Sequence, residues 1–462
     1  MNNKGKITVF LCLMVSVLLV LGTTMLRVVS VMNAKSKSVM CTRTAISNTQ
    51  AGYNRYIFDH YHILLFDKNG NGKGEGFVEQ EIYDNLQKNL GDEFDILDLQ
   101  VTEYEMIYDN SCKSMKEQIA DYVQYAAIEY GTDYIKEVTG GKDGTFSDSV
   151  FEQYYEPSEF DPEEILDTEE KVDPRGMTGL LTGDVLLAAV LPENLTISDY
   201  SITYEDIVSV RDGDFFSDIF EVNSNFDDFD SMKSDMKVFG TWSDSLAQAG
   251  ANVAYAGAVF NNALEQDVNE TAVLSCELEY LICGMQTDRL NLKGVVNRII
   301  AMRMPVNYMF LLSDAKKRSL IIELAAAVSA FTFVPLPIME HLIAGCWAYA
   351  ESVAEVRHLL NGDKMPFTKT NANWITDLNN LSETIYNGGT SDDKGLSYKD
   401  YLLILLAMNN NKMIDRMLDL MQLNARQENE QFSMSHAAVG LEVNVEIASE
   451  GQVFYIKEKR SY

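Results

Sequence analysis

The sequence predicts an α+β fold, predominantly helical, on three observations. A charge-free apolar run, Ile7 to Leu26, opens the chain. Beyond residue 245 apolar residues recur at helical spacing, as in Leu292, Val295, Val296, Ile299 and Ile300. At the end Leu441, Val443, Val445 and Ile447 alternate with polar residues, the period of a half-buried strand. The expected architecture is an N-terminal transmembrane helix extended into a stalk, an acidic mixed region, and a helical C-terminal domain ending in a β-hairpin.

Residues 1–6 form a short basic tail carrying Lys4 and Lys6. Residues 7–26 span about 30 Å as a helix, the thickness of bilayer hydrocarbon. A cleavable leader has a shorter apolar core and a small-x-small cleavage site, whereas Met32 stands where a small residue before Ala34 is needed. The segment therefore reads as a retained signal anchor. From Val28 to Phe58 there is no proline, so 27–60 is expected to continue as a helical stalk.

Residues 61–138 mix short apolar pieces. Phe77 to Leu90 reads as a helix, Phe94 to Tyr108 has β-type composition in places, and Ser111 to Val138 reads as a longer helix. Residues 139–244 are acidic, with Pro157, Pro162 and Pro174, and are expected to be a variable region or linker. Val185 to Leu191 is a short apolar strand or helix within it. Residues 245–435 form the helical domain. In it, Ser397-Tyr398-Lys399-Asp400 is a capping box, and Met413, Ile414, Met417, Leu418 and Met421 mark an amphipathic helix. Leu320 to Ala350 is interrupted by Glu323, Glu340, Pro335 and Pro337, so it is expected to be two buried helices joined by a proline turn. Residues 436–462 are the hairpin, turning at Ser449-Glu450-Gly451.

The net charge of -32 sits in one place: residues 59–260 hold 44 acids against 12 bases. Such a surface excludes nucleic acid as a default partner, because phosphate binding needs clustered Lys and Arg. It fits a solvated, self-repelling exterior. The 6 cysteines are too few for a disulfide-built scaffold. Cys12 and Cys346 read as buried thiols. Cys276 and Cys283, two helical turns or about 10 Å apart, are too distant to bridge.

Few motifs carry chemistry. Asp67-x-Asn69-x-Asn71-Gly72 opens like an EF-hand calcium loop, with Glu75 at the ninth position. Position twelve is Val78, and Glu79 falls one place late, so the bidentate ligand is missing. Calcium is expected at best weakly. Ser313-Asp314-Ala315-Lys316 matches Ser-x-x-Lys, but Lys369-Thr370-Asn371 only echoes the Lys-Thr-Gly that should accompany it. His60 and His62 flank an ordinary helix-to-loop junction, and no zinc spacing occurs. No catalytic residue, cofactor or firm metal site is assigned, and the chain is expected not to be an enzyme.

Lys4-Gly5-Lys6-Ile7-Thr8-Val9-Phe10-Leu11 resembles the start of a Gram-positive single-pass membrane family encoded near tight-adherence (Tad) pilus genes, with TadE/TadG-like anchors. The resemblance continues in Tyr53-Asn54-Arg55, Leu64 to Asp67, Glu277 to Gly284, Trp347 to Glu351, Arg357 to Gly362 and Gly395 to Leu402. It brings no catalytic residues. It implies a membrane-anchored, surface-exposed component of a Tad-like pilus or secretion apparatus, in an accessory or pilin-like assembly role. Its partners would be membrane lipid and other proteins of that apparatus. The alternative is a membrane-tethered envelope enzyme acting on wall polymer. Basic residues on the two sides of the apolar run nearly balance. The acidic body and the resemblance place the N-terminus inside and the bulk of the chain outside.

Overall fold

A computed structural model describes residues 3–129 except 71 and 75, 190–208 except 193 and 194, and 246–462 except 333, 382–383, 386–394 and 409–411. Most of the acidic stretch 139–244, and residues 185–189 of the short apolar piece, lie outside the described residues. The fold is α+β and mostly helical, with a long apolar helix at the start and an antiparallel strand pair at the end. It forms two compact units, one made of Met1–Gln118 with Ala425–Tyr462, the other of Ile119–Asn424.

The first unit is organised by α1 (Asn3–Gln50), a single uninterrupted helix. Its side chains from Val9 to Val29 are exposed. Burial then begins on one face, at Ala34, Ser38, Thr42, Ala45 and Ile46. All but Ile46 are small or hydroxylated residues at helical spacing, which lets a neighbour approach closely. Their hydroxyls are satisfied inside the helix: Ser38 Oγ donates to the Ala34 carbonyl at 2.9 Å and Thr42 Oγ1 to that of Ser38 at 2.9 Å. The segment expected to be a helical stalk is helical through Gln50 and packs one face into a core, because that face has a sheet and a helix to bury against.

After α2 (Arg55–Tyr61), β1 (Phe66–Asp67) leads to α3 (Phe77–Leu90), which buries Val78, Ile82, Leu86 and Leu90, each four residues on along one face. Lys37 of α1 donates to the Leu90 carbonyl at 2.8 Å, closing the end of α3. Next come β2 (Asp95–Met106) and α4 (Asp109–Glu129), which opens with three left-handed residues, Asn110 to Cys112. β3 (Ala437–Ser449) is the central strand, antiparallel to β1, β2 and β4 (Gln452–Ser461). Glu450 and Gly451 both have positive φ, 53° and 74°, as a two-residue I′ hairpin requires. Leu441, Val443, Val445 and Ile447 point into the core shared with α1 and α3.

The second unit contains α5 (Leu246–Val259), α6 (Glu277–Cys283), α7 (Asp288–Ser313), α8 (Ala315–Thr332), α9 (Leu336–Leu360), α10 (Tyr398–Met408) and α11 (Met413–Ala425). Thr287 caps α7 by accepting from Leu290 N. The capping box at α10 is reciprocal: Ser397 N donates to Asp400 Oδ2 at 2.7 Å, and Asp400 N to Ser397 Oγ at 3.2 Å. Two expectations are corrected. α8 is not a buried helix: it packs on α7 and α9 with Ile321 and Ala325 buried, leaving Leu320, Ile322 and Leu324 about two-fifths exposed. Cys12 is exposed on α1, which leaves the fold there, and Cys346 is only half-buried.

Candidate functional site

Among the described residues, α1 is the one helix long and apolar enough to cross a membrane. Its apolar surface is wholly unburied by the protein, which separates it from a core helix of equal hydropathy. Gly22 has open space where a Cβ would stand, and Ser16 Oγ donates to the Leu13 carbonyl, so both are outward-facing small residues. Ala34, a further small residue of α1, is spent on the unit's own core.

The calcium-like loop is occupied by its own backbone. Asp67 Oδ1 accepts from Asn69 N at 2.8 Å, an Asx turn. Gly70 and Gly72 take positive φ, with the Phe77 ring against one and the Gln431 side chain against the other. Val78 is a core residue, and Glu79, the misplaced acid, accepts from Val101 N of β2 at 2.9 Å. Asn71 and Glu75 lie outside the described residues. Among the described residues no group of three His, Cys, Asp or Glu is placed to hold a metal ion. His62 caps α2 in the left-handed region, and burial lowers its pKa.

Ser-x-x-Lys and its echo do meet, through Asn371 Nδ2 donating to Asp314 Oδ2 at 2.6 Å, but as a helix cap. Asp314 Oδ1 accepts from Lys316 N and Lys317 N at the start of α8, and Ser313 Oγ donates to the Phe310 carbonyl. Lys369 turns inward instead. Its amine lies 2.5 Å from Glu351 and 2.7 Å from Glu355, one turn apart on α9. Arg303 of α7 forks onto Glu355 at 2.7 and 2.9 Å. Burial raises the Glu355 pKa, but Arg303 and Lys369 outweigh it and hold the group below the ordinary value. Glu351 accepts from Ile375 N, Thr376 N and Thr376 Oγ1 at 2.7–2.9 Å, strapping that segment to α9.

A second buried cluster has no countercharge on its carboxylates. Glu277 accepts from Asn261 N at 2.9 Å and from Asn424 Nδ2 at 2.6 Å. Glu279 Oε1 accepts from Ala263 N at 3.0 Å and Tyr398 OH at 2.8 Å, while its Oε2 has no partner. Asp288 holds Ser275 N at 2.8 Å. All three are fully buried, and desolvation pushes their pKa values up to about 8, 7 and 6. Beside them Arg416 Nη1 donates to the Leu281 and Ile282 carbonyls at 2.7 and 2.8 Å, with its guanidinium under Gly284. Burial raises the Cys283 thiol despite Arg298 and Arg416, so it is not an activated thiolate.

These clusters fasten loops to helices; they do not present a nucleophile or an acid–base pair to solvent. Sequence reading missed them as sites of importance. The available signal was charge inside apolar helical runs: Glu277 and Glu279 in Cys276 to Cys283, and Glu351 and Glu355 in α9.

The chain is therefore an α+β protein with one N-terminal helix fit to span a membrane and an interior cross-braced by buried carboxylates. It belongs to DUF5702, a family of unknown function, whose model matches residues 166–449. No curated protein and no solved structure matches it.

Proposed function

We propose that this protein is a membrane-anchored, surface-exposed, non-enzymatic component of a Tad-like pilus or secretion apparatus, with its N-terminus inside and the bulk of the chain outside. The observation that carries the reading is the continuity of α1. One helix of 48 residues joins an exposed apolar half to a half built into a sheet core. A membrane segment rigidly continuous with a folded unit transmits displacement in either direction, which an assembly part needs and a tethered enzyme does not. The outward small residues Ser16 and Gly22 suit close packing against a second apolar helix. The buried carboxylates of Glu277 and Glu351 support the non-enzymatic reading, since both accept from backbone and side-chain donors within the fold.

The test is recovery of partners. The tagged full-length protein is expected to bring down Tad-type ATPase, platform or pilin proteins from detergent-solubilised membranes. Partners drawn only from wall metabolism, with hydrolysis of wall polymer by the purified protein, would overturn it in favour of the enzyme. Protease added to wall-stripped cells checks orientation: residues beyond about 60 should be digested, and their full protection would reverse the topology.

A further inference from the structure

We propose that the α8–α9 hairpin is a second membrane contact, seated in one leaflet of an anionic bilayer without crossing it. The proposal rests on the anchoring of α1, which brings the chain to a bilayer. Its own warrant lies in the hairpin. Leu320, Ile322 and Leu324 are 38–41% exposed, Leu336 is 40% exposed, and Ala326 and Ala327 are exposed as well. At 100° per residue these positions point in several directions around α8. A protein groove covers one stripe of a helix, whereas lipid surrounds every face that the fold leaves bare.

Length and charge fix the depth. From Leu324 to Met339 there is no charged residue, and the chain reverses within this stretch, at Val334-Pro335. The α8 arm, Leu324 to Thr332, is nine residues or about 14 Å of helix, close to one leaflet's hydrocarbon of about 15 Å, and the α9 arm, Leu336 to Met339, is four residues or about 6 Å. Glu323 on α8 and Glu340 on α9 bound the charge-free stretch, and Glu340 is paired with Arg318 at 3.3 Å. Lys316-Lys317-Arg318, a run of three bases in a chain of net charge -32, stands at the base of α8 where lipid headgroups would lie. At the turn Ser329 Oγ donates to the Val334 carbonyl and Met339 N to that of Pro335 at 3.1 Å, so the reversal spends its polar groups internally.

The test uses the full-length protein in nanodiscs of phosphatidylglycerol and phosphatidylcholine, with a photoreactive phenylalanine at Ala327 or, as the anchor's reporter, at Leu18. Irradiation is expected to attach lipid acyl chains at both positions, read by mass spectrometry. Lys316→Gln should lower the yield at 327 roughly fivefold, as one basic contact with an anionic surface is lost, and leave that at 18 unchanged. An adduct at 18 without one at 327 overturns the hairpin contact and leaves the anchor standing. A covalent dimer at 327 without lipid overturns it in favour of a second copy of this chain. No adduct at either position overturns both.

Discussion

Glu279 offers the sharpest perturbation. Its carboxyl is buried, carries no countercharge, and has its pKa raised from 4.5 to about 7, chiefly by desolvation. A raised folded-state pKa means that folding favours the protonated form. The stability so gained is complete below about pH 4.5, declines as pH rises, and is gone above about pH 7. The gap between 4.5 and about 7 corresponds to about 3 kcal/mol at full titration. Glu279→Gln keeps the geometry, because the amide oxygen can still accept from Ala263 N and Tyr398 OH. The new amide nitrogen falls where Oε2 has no partner, a cost that does not vary with pH.

The expected result is therefore a change of slope. Thermal unfolding of the full-length protein in detergent, followed by tryptophan fluorescence between pH 5 and 8, should show the wild type losing stability toward pH 8. Glu277 and Asp288 add to that loss with the same sign. Glu279→Gln should lose less, by about 2 kcal/mol, or roughly 4–8 °C in Tm for a unit of this size. Parallel wild-type and variant curves across this range would refute the reasoning, and a steeper variant would reverse it.

Lys369→Met leaves Glu351 buried without its cation and should cost about 3–5 kcal/mol in denaturant unfolding. The double variant Lys369→Met/Glu351→Gln should recover part of that loss. Gly284→Ala meets both a φ of +67° and Arg416 Nε at 2.6 Å, so a loss of about 1–3 kcal/mol is expected in the same assay. Calorimetry should find no micromolar calcium uptake; uptake abolished by Asp67→Ala would show that the 67–78 loop is a site after all. Gly22→Leu meets no atom within the chain and should leave the Tm unchanged while reducing partner recovery in the pull-down; unchanged recovery would remove Gly22 from any packing face.

What was legible in the sequence was what local pattern determines. Phe77–Leu90 emerges as a helix because its apolar residues keep one face and Gly76 and Gly91 bound it. The terminal hairpin emerges because period two and a Glu-Gly turn sit side by side. The capping box at Ser397 needs only residues within one turn. What was not legible depends on partners distant in sequence. β3 alternates as a half-buried strand, but nothing near it shows that β2, some 340 residues earlier, lies along its other edge. The exposure of α8 is invisible for the same reason, since an apolar helix reads as buried until its neighbours are counted. Lys369 looked like a fragment of a motif; only the fold brings it to Glu351 and Glu355.

The placing of hydroxyl and alanine residues on α1 bears on how an assembly could form. Ala34, Ser38 and Thr42 are small or hydroxylated residues at helical spacing on α1. In the fold they are the surface on which α1 meets its own unit, and Lys37 and Arg43 beside them reach Leu90 and Glu458 of that unit. In the half that leaves the fold, from Val9 to Val29, Ser16 and Gly22 are the small residues facing outward. A helix divided in this way cannot slide within its own unit to find a partner. Any force applied to the apolar half reaches the sheet through a continuous hydrogen-bonded rod, with no proline from Asn3 to Gln50 to absorb it.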